Sequence, residues 1–275
     1  MLQVGQVINT TSGFKVEVVD TYTCYRCGSE VRVVQAFVPM LGGEVTIDRC
    51  LNCDAKNLAA EAAEEARRAA VRNAKALFDQ ESLINDSLRA ATFENYFPMN
   101  ESQREAKLEA WRYAENFTLD KPNNLIFSGP YGIGKSHLAV AIAKRLTERG
   151  FSSVFISVPR LFTKVKSTFG RKDGPTEEDI IEALGRVDLL VLDDIGAEYI
   201  EVDRSGEGRG WGVSKIFEIV DVRAGKSTVY TTNLSSDEMK KRFGMRNFSR
   251  LMENTQAVKM DGEDFRLRAF KGGRG

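Results

Sequence analysis

This 275-residue sequence has no long apolar run, no net charge and a single histidine. There is no run of about 18 apolar residues, and the opening MLQVGQVINTTSG lacks the charged and apolar regions of a signal peptide, so we expect a cytoplasmic protein without a membrane span. Lys and Arg together number 39, as do Asp and Glu. The chain as a whole therefore has no field that would draw it to nucleic acid or to an anionic membrane, and any such contact must be local.

Disulfides are not expected either, because thiols stay reduced in the cytosol. The four cysteines form two C-x₂-C pairs, CYRC and CLNC, separated by 22 residues. The only histidine, His137, lies far along the chain, so the only four-residue ligand set is Cys24, Cys27, Cys50 and Cys53. This spacing predicts a closed tetrahedral Zn²⁺ site that stabilises a small domain. A redox pair is the alternative, but a thioredoxin-like site would need a βαβ context.

Composition divides the chain into three segments. Residues 1–56 are rich in Val, Thr, Gly and Tyr with short alternating runs, which predicts a small β-rich domain. Residues 57–90 begin with an Ala, Glu and Arg tract, predicted as a solvated helical linker, although a partner-binding helix is the alternative. Residues 91–275 alternate apolar strand-like runs with helical patterns, which predicts an α/β domain with a parallel sheet covered on both faces. The predicted strands are NLIFS, SVFISV, DLLVLDD, TVYTT and AVKM.

The segment GPYGIGKS follows the first of these strands and opens a helical pattern, the context of a phosphate-binding loop. Its glycines allow backbone N–H groups to converge on phosphate oxygens at a helix N-terminus. Lys135 is expected to reach the β and γ phosphates, and Ser136 to offer its hydroxyl to Mg²⁺. The residues predicted to bind nucleotide are Gly129, Pro130, Tyr131, Gly132, Ile133, Gly134, Lys135, Ser136 and His137.

Two other strand ends carry polar residues that complete the predicted site. DLLVLDD is an apolar strand ending in Asp193, predicted to hold the hydrated Mg²⁺, and Asp194, predicted to polarise the attacking water. TVYTT is followed by Asn233, which is expected to bond the γ-phosphate or the water, although capping the next helix is the alternative. Spacing alone gives Arg250 no role.

From about Thr92 onward the chain resembles the AAA+ ATPases of the DnaC/DnaI helicase-loader family, with IstB transposition ATPases as near neighbours. The resemblance rests on ATFENYFP, NLIFSGPYGIGKSHLAVAIAKRL, VDLLVLDDIGAE, VYTTNLS and RNFSRLMENTQAVKMDGEDFR. It implies a P-loop ATPase with a five-stranded parallel sheet and nucleotide at subunit junctions. By motif, Asn233 resembles the first sensor, Arg250 the arginine finger given to a neighbour's nucleotide, and Arg266 the second sensor. Asp194 stands where many AAA+ enzymes have Glu.

The resemblance also implies partners. DnaI-like loaders have an N-terminal zinc module that contacts the replicative helicase, so we expect a hexameric replicative helicase, single-stranded DNA and a homo-oligomer. An IstB-type ATPase that assists a transposase on duplex DNA is the alternative. The 35 residues from Lys241 carry nine basic and four acidic side chains, an excess that suits DNA in either case. The Gly-rich insert 199–212, with Arg204 and Arg209, is either a loop near DNA or partner, or a solvent loop.

Overall fold

The computed structural model describes residues 7–9, 15–38, 42–79, 86–171, 173–197 and 210–267. The chain forms two compact units, Met1–Arg68 and Ala69–Gly275. The division between them falls within one long helix, α1 (Leu51–Asp79).

The first unit contains a four-stranded antiparallel sheet, in agreement with the β-rich domain predicted for residues 1–56. Its strands, in spatial order, are β1 (Val7–Asn9), β2 (Lys15–Thr23), β3 (Glu30–Val38) and β4 (Gly43–Ile47). The turn between β2 and β3 carries the first cysteine pair, and the segment from β4 into α1 carries the second. Antiparallel pairing thus brings two distant C-x₂-C turns to the same part of the unit.

Helix α1 begins at Leu51, earlier than the predicted start at Asn57. Asp54 lies in its first turn, where a carboxylate interacts favourably with the helix dipole, and its N–H donates to the carbonyl of Cys50 at 2.9 Å. The described side chains of its first half are mostly exposed, as a solvated helix requires. Among the described residues, no helix has both the length and the apolar character needed to cross a membrane.

The second unit is built around a five-stranded sheet in which every pairing is parallel, as predicted. Its spatial order is β6-β7-β8-β5-β9. The strands are β5 (Asn124–Ser128), β6 (Ser153–Ser157), β7 (Leu189–Asp193), β8 (Ser227–Thr232) and β9 (Thr255–Lys259). The helices are α2 (Asp86–Arg89), α3 (Glu101–Glu115), α4 (Lys135–Glu148), α5 (Val158–Lys166), α6 (Glu177–Arg186), α7 (Trp211–Val222), α8 (Ser236–Phe243) and α9 (Met245–Leu251).

Successive side chains of the buried strands enter two separate cores. Leu190 and Leu192 of β7 pack with α5 to α9, whereas Leu189 and Val191 pack with α3 and α4. Side chains alternate between the faces of a strand, so a strand that is apolar at every position must be covered on both faces. The carboxyl ends of these strands meet at one edge of the sheet, where ligands bind in open α/β folds.

Helix α6 was not predicted from the sequence. Its start is fixed by a capping box in which the hydroxyl of Thr176 accepts from the N–H of Asp179, and the Asp179 carboxylate accepts from the N–H of Thr176. The spacing T-x-x-D before an apolar run is the sequence signal that would have found it.

Candidate functional site

The phosphate-binding loop connects β5 to α4, as predicted. Gly134 adopts a φ of +96°, in the left-handed region that favours glycine, and a Cβ there would lie 2.4 Å from the ring of Tyr96. The next residue, Lys135, opens α4. The unpaired N–H groups of this helix therefore face the loop, where an anion is stabilised.

Two hydrogen bonds from outside the loop fix its peptide planes. The hydroxyl of Tyr96 donates to the carbonyl of Ile133 at 3.1 Å, and the N–H of Phe265 donates to the carbonyl of Gly132 at 2.9 Å. Because a trans peptide is planar, its N–H points opposite to its C=O. The N–H groups of Ile133 and Gly134 are thereby turned away from these anchors and left available to a ligand.

Lys135 is buried in the loop with only 5% of its surface exposed. Its ammonium donates to the carbonyls of Gly129 at 2.7 Å and Pro130 at 2.6 Å, and to Oδ1 of Asn233 at 2.7 Å. Burial lowers the pKa of Lys135 to about 8, although the two acids at the end of β7 oppose this shift. A phosphate would supply the negative charge that this buried ammonium needs.

Asp193 lies at the end of β7 and is buried. Burial, followed by the neighbouring charge of Asp194, raises the pKa of Asp193 to about 6. Hydrogen bonds from the hydroxyls of Thr231 and Ser136 act in the opposite direction. A hydroxyl and a carboxylate side by side beside a phosphate loop fit Mg²⁺, a hard cation that takes oxygen ligands.

Asp194 has a φ of +59°, which is uncommon for a residue with a side chain. Its N–H donates to the hydroxyl of Thr231 at 2.9 Å, and its carboxylate accepts from the amide of Asn233 at 3.4 Å. The structure therefore brings Lys135, Asp193, Asp194 and Asn233 together at the carboxyl edge of the sheet.

Two other residues predicted to bind nucleotide, Tyr131 and His137, differ in their exposure to solvent. The side chain of Tyr131 is exposed. His137 is partly buried, with Nε2 2.8 Å from the carbonyl of Thr92 and its ring 5.2 Å from that of Tyr96 in an edge contact. Thus His137 connects the segment that contains Thr92 and Tyr96 to α4, and a contact with nucleotide is not needed to explain its position.

Arg266 lies close to the loop. It pairs with Asp264, whose carboxylate occupies the space that a Cβ at Gly132 would need. The positive charge of Arg266 contributes to lowering the pKa of Lys135, because the two cations repel each other. Sequence reasoning gave Asp264 and Tyr96 no role, because neither belongs to the loop motif that they contact.

Arg250 lies elsewhere. It forms an ion pair with Asp221 and lines a surface pocket together with Asn124 and Thr228, residues at the starts of β5 and β8. The phosphate loop follows the other end of β5, about 13 Å away along a five-residue strand. The structure thus separates Arg250 from the loop of its own chain. Residues 199–209 of the insert, which include Arg204 and Arg209, lie outside the described residues, and its last residues begin α7 at Trp211.

The four cysteines converge in the first unit. All four sulfurs lie within 4.8 Å of one another, with Cys24 and Cys53 at 3.7 Å and Cys27 and Cys50 at 3.5 Å. These separations exceed the roughly 2.05 Å of a disulfide, and they match the ~3.8 Å between sulfurs that a tetrahedron with ~2.3 Å Zn–S bonds requires. The predicted Cys₄ arrangement is present.

The electrostatics of these thiols also fit a cation. Hydrogen bonds from Ser29 lower the pKa of Cys27 to about 6, which favours its thiolate. The neighbouring thiols and burial instead raise the pKa of Cys53 to about 12. Four sulfurs this close cannot all ionise unless a positive charge lies between them, and a Zn²⁺ ion would supply that charge.

Comparisons with known proteins agree with this geometry. The family model described as IstB-like ATP binding protein matches residues 60–271. The replicative helicase loader DnaC of Escherichia coli strain K12 is 36% identical over 180 residues, which is 64% of this chain and 69% of that protein.

Two solved structures share the fold. A crystal structure of the DnaC helicase loader has a TM-score of 0.56 at 27% identity, covering 64% of this chain and 99% of that one. A crystal structure of DnaI has a TM-score of 0.54 at 21% identity, covering 66% and 93% respectively, and shows the fold alone. The chain therefore belongs to the IstB-like ATP-binding proteins and to the DnaC family of AAA+ P-loop ATPases.

Proposed function

We propose that this ATPase loads a hexameric replicative helicase onto single-stranded DNA. The observation that carries the proposal is the identity of 36% over 180 residues with proteins named replicative helicase loader. In this proposal residues 1–56 bind the helicase, and residues 91–275 bind ATP and assemble into a homo-oligomer. Residues 57–90 are the helical linker between these two domains. The alternative is an ATPase that assists a transposase, and its support is that the matching family model is described as IstB-like ATP binding protein.

At the nucleotide site, each residue has a proposed task. Lys135 neutralises the phosphates, Ser136 and Asp193 hold Mg²⁺, and Asp194 with Asn233 orients the attacking water. Mg²⁺ would supply charge neutralisation between the phosphates. The amide of Asn233 donates to the carboxylate of Asp194 in the structure, so both side chains lie close enough to act on one water beside them.

A role for Arg266 as the second sensor is supported by its position. Its guanidinium is held by Asp264, next to the loop. Carboxylate and phosphate groups both accept hydrogen bonds from a guanidinium. If a phosphate of bound nucleotide replaced Asp264 as the partner of Arg266, the position of Arg266 would depend on whether nucleotide is bound.

The helicase-binding proposal rests on the exposed ends of the two cysteine turns. Tyr25 and Leu51 each follow the first cysteine of a C-x₂-C pair, and 86% and 77% of their surfaces are exposed. Large apolar side chains in such positions are typical of protein interaction sites. A rigid metal-bound turn would present them at little conformational cost.

We expect the double variant Tyr25→Ala, Leu51→Ala to weaken helicase binding at least tenfold, since anchoring aromatic and aliphatic residues carry most of an interface's affinity. Binding is measured by size-exclusion chromatography and native mass spectrometry with the replicative helicase of the source organism. Leu119→Ala, an exposed leucine of the second unit, is the matched control and should bind normally.

Capture of a transposase and not of the helicase, with the same wild-type protein, would replace the loader function with the alternative. Retained helicase binding in the double variant would place the contact elsewhere on the chain. Helicase activity on protein-coated single-stranded circles, with and without the protein, tests loading itself.

Contact with single-stranded DNA is supported by a basic and aromatic surface in the second unit. Residues 158–171 contain Arg160, Lys164, Lys166 and Arg171 and no acidic side chain. Phe169 is 54% exposed, and its ring lies 6.0 Å from that of Trp211, over which the ammonium of Lys166 lies at 5.2 Å. Cations that track the backbone and aromatic rings that stack on bases are the two elements of sequence-tolerant single-strand binding.

Phe169→Ala should weaken binding of an oligothymidine about tenfold, because stacking on one base contributes ~1–3 kcal/mol. Fluorescence anisotropy at two salt concentrations measures the affinity, and Phe97→Ala, another exposed aromatic residue of the same unit, is the control. An unchanged affinity for Phe169→Ala would remove this surface from the proposal and leave the basic residues after Lys241 as the site to test.

A further inference from the structure

One buried hydroxyl lies between the two acids of the nucleotide site. Thr231 is in β8 and has no exposed surface. Its Oγ1 is 2.6 Å from Oδ1 of Asp193 and 2.9 Å from the N–H of Asp194. In the sequence, Thr231 is one of the two threonines that end TVYTT, and no motif gives it a task.

The direction of these two hydrogen bonds is fixed by chemistry. The N–H of Asp194 can only donate, so the Thr231 oxygen accepts from it. An ionised Asp193 can only accept, so the single hydroxyl proton of Thr231 goes to Oδ1 of that carboxylate. One oxygen of Asp193 is thereby engaged and its rotamer is fixed, which leaves the other oxygen to face a cation.

Thr231 also holds the unusual backbone that follows. Asp194 has a φ of +59°, an unfavourable value for a residue with a Cβ. The N–H of Asp194 is bound by the Thr231 side chain, and the next N–H, that of Ile195, donates to the Thr231 carbonyl at 2.8 Å. Side chain and main chain of one residue thus bind two successive N–H groups of the turn and direct the Asp194 carboxylate toward Asn233.

We propose that Thr231 is a positioning residue of the ATPase site, whose hydroxyl orients Asp193 toward Mg²⁺ and holds Asp194 in its left-handed conformation. It contacts neither substrate nor cation, and acts through the two acids. The proposal rests on the Mg²⁺ site proposed above and is independent of the macromolecule that the ATPase serves. Partners that orient a metal ligand typically change metal affinity by ~10–100-fold when removed.

Thr228 provides a matched control within the same strand. It is buried like Thr231, and its hydroxyl accepts from Nε of Arg223 at 2.9 Å, at the start of β8 and away from the acids. A purely structural role would make Thr231→Val and Thr228→Val equivalent, because each removes one buried hydroxyl at nearly constant volume.

The test measures how Mg²⁺ affects binding of a fluorescent ATP analogue by the full chain, and ATP hydrolysis in parallel. For Thr231→Val we expect affinity in EDTA within about twofold of wild type, and the Mg²⁺ concentration for half-maximal effect raised about tenfold. Turnover should fall about tenfold, with a smaller change in KM. Thr231→Ser should restore both, and Thr228→Val should keep the wild-type Mg²⁺ dependence. Thr231→Ala replaces the valine variant if that variant does not fold.

Wild-type Mg²⁺ dependence retained in Thr231→Val would overturn the positioning role alone. Failure of Thr231→Ser to recover would also overturn it, because the methyl group and not the hydroxyl would then be responsible. A wild-type protein whose nucleotide binding and hydrolysis ignore Mg²⁺ would overturn the Mg²⁺ site itself and this proposal with it.

Discussion

Replacement of Cys50 by serine is expected to release one Zn²⁺ per chain and to unfold the first unit while nucleotide binding persists. The unit has a small sheet, and small domains bury too little apolar surface to fold without a further source of stability. Binding of structural Zn²⁺ to four thiolates contributes roughly 10–16 kcal/mol in small zinc modules, so its loss exceeds the stability of such a unit. Metal analysis gives the stoichiometry, and two-dimensional NMR separates the two units.

The control is Tyr25→Ser, which alters the same turn at an exposed position and leaves all four sulfurs in place. It should retain the metal and the fold. Affinity for an ATP analogue should be unchanged in both variants, because the phosphate loop belongs to the second unit. A metal-free wild-type protein with a disulfide between Cys24 and Cys27, or a folded first unit in Cys50→Ser, would refute the zinc site.

Much of this fold could be predicted because strong local signals coincide with tertiary constraints. The segment DLLVLDD has four successive apolar residues at its centre, LLVL, and only a sheet covered on both faces accommodates that pattern, as the two cores show. The loop GPYGIGKS and the C-x₂-C pairs likewise have chemistry that few other arrangements satisfy. In such segments the sequence pattern and the packing agree.

The parts that could not be predicted depend on contacts between distant segments. Tyr96 and Asp264 lie far from the phosphate loop in sequence, and only the folded chain brings one to Ile133 and the other to Gly132. Thr231 resembles any other β-branched strand residue until its hydroxyl is seen between the two acids. The start of α1 was wrong because the CLNC turn, interpreted as a metal knuckle, is also the first turn of the helix.

Arg250 lies away from the phosphate loop of its own chain. In this structure it pairs with Asp221 at the end of the sheet opposite the phosphate loop. A guanidinium held there cannot reach the γ-phosphate of its own chain, and it suits a site completed by a neighbour. An arginine finger of this kind stabilises charge on the transferred phosphoryl group and contributes about 10³-fold or more to turnover.

We therefore expect Arg250→Ala to bind ATP normally and to lose about 10³-fold in hydrolysis. If neighbours complete each other's sites, as we propose, wild-type activity per chain should rise with protein concentration. Arg246→Ala is the matched control, since Arg246 is an exposed arginine one turn earlier in α9 and should keep wild-type activity. Steady-state hydrolysis and equilibrium binding of an ATP analogue separate the two effects.

Mixing Arg250→Ala with Lys135→Ala gives the sharpest result. Lys135→Ala cannot neutralise the phosphates and should not bind ATP, but it still carries Arg250. In a mixed assembly, this second protomer can offer Arg250 to the ATP held by the first, so activity should return although each variant alone is inactive. Co-assembly is verified by native mass spectrometry of the mixture. If co-assembled variants remain inactive, the site is not shared between chains, and the ion pair of Arg250 with Asp221 is then a surface contact that serves the fold of one chain.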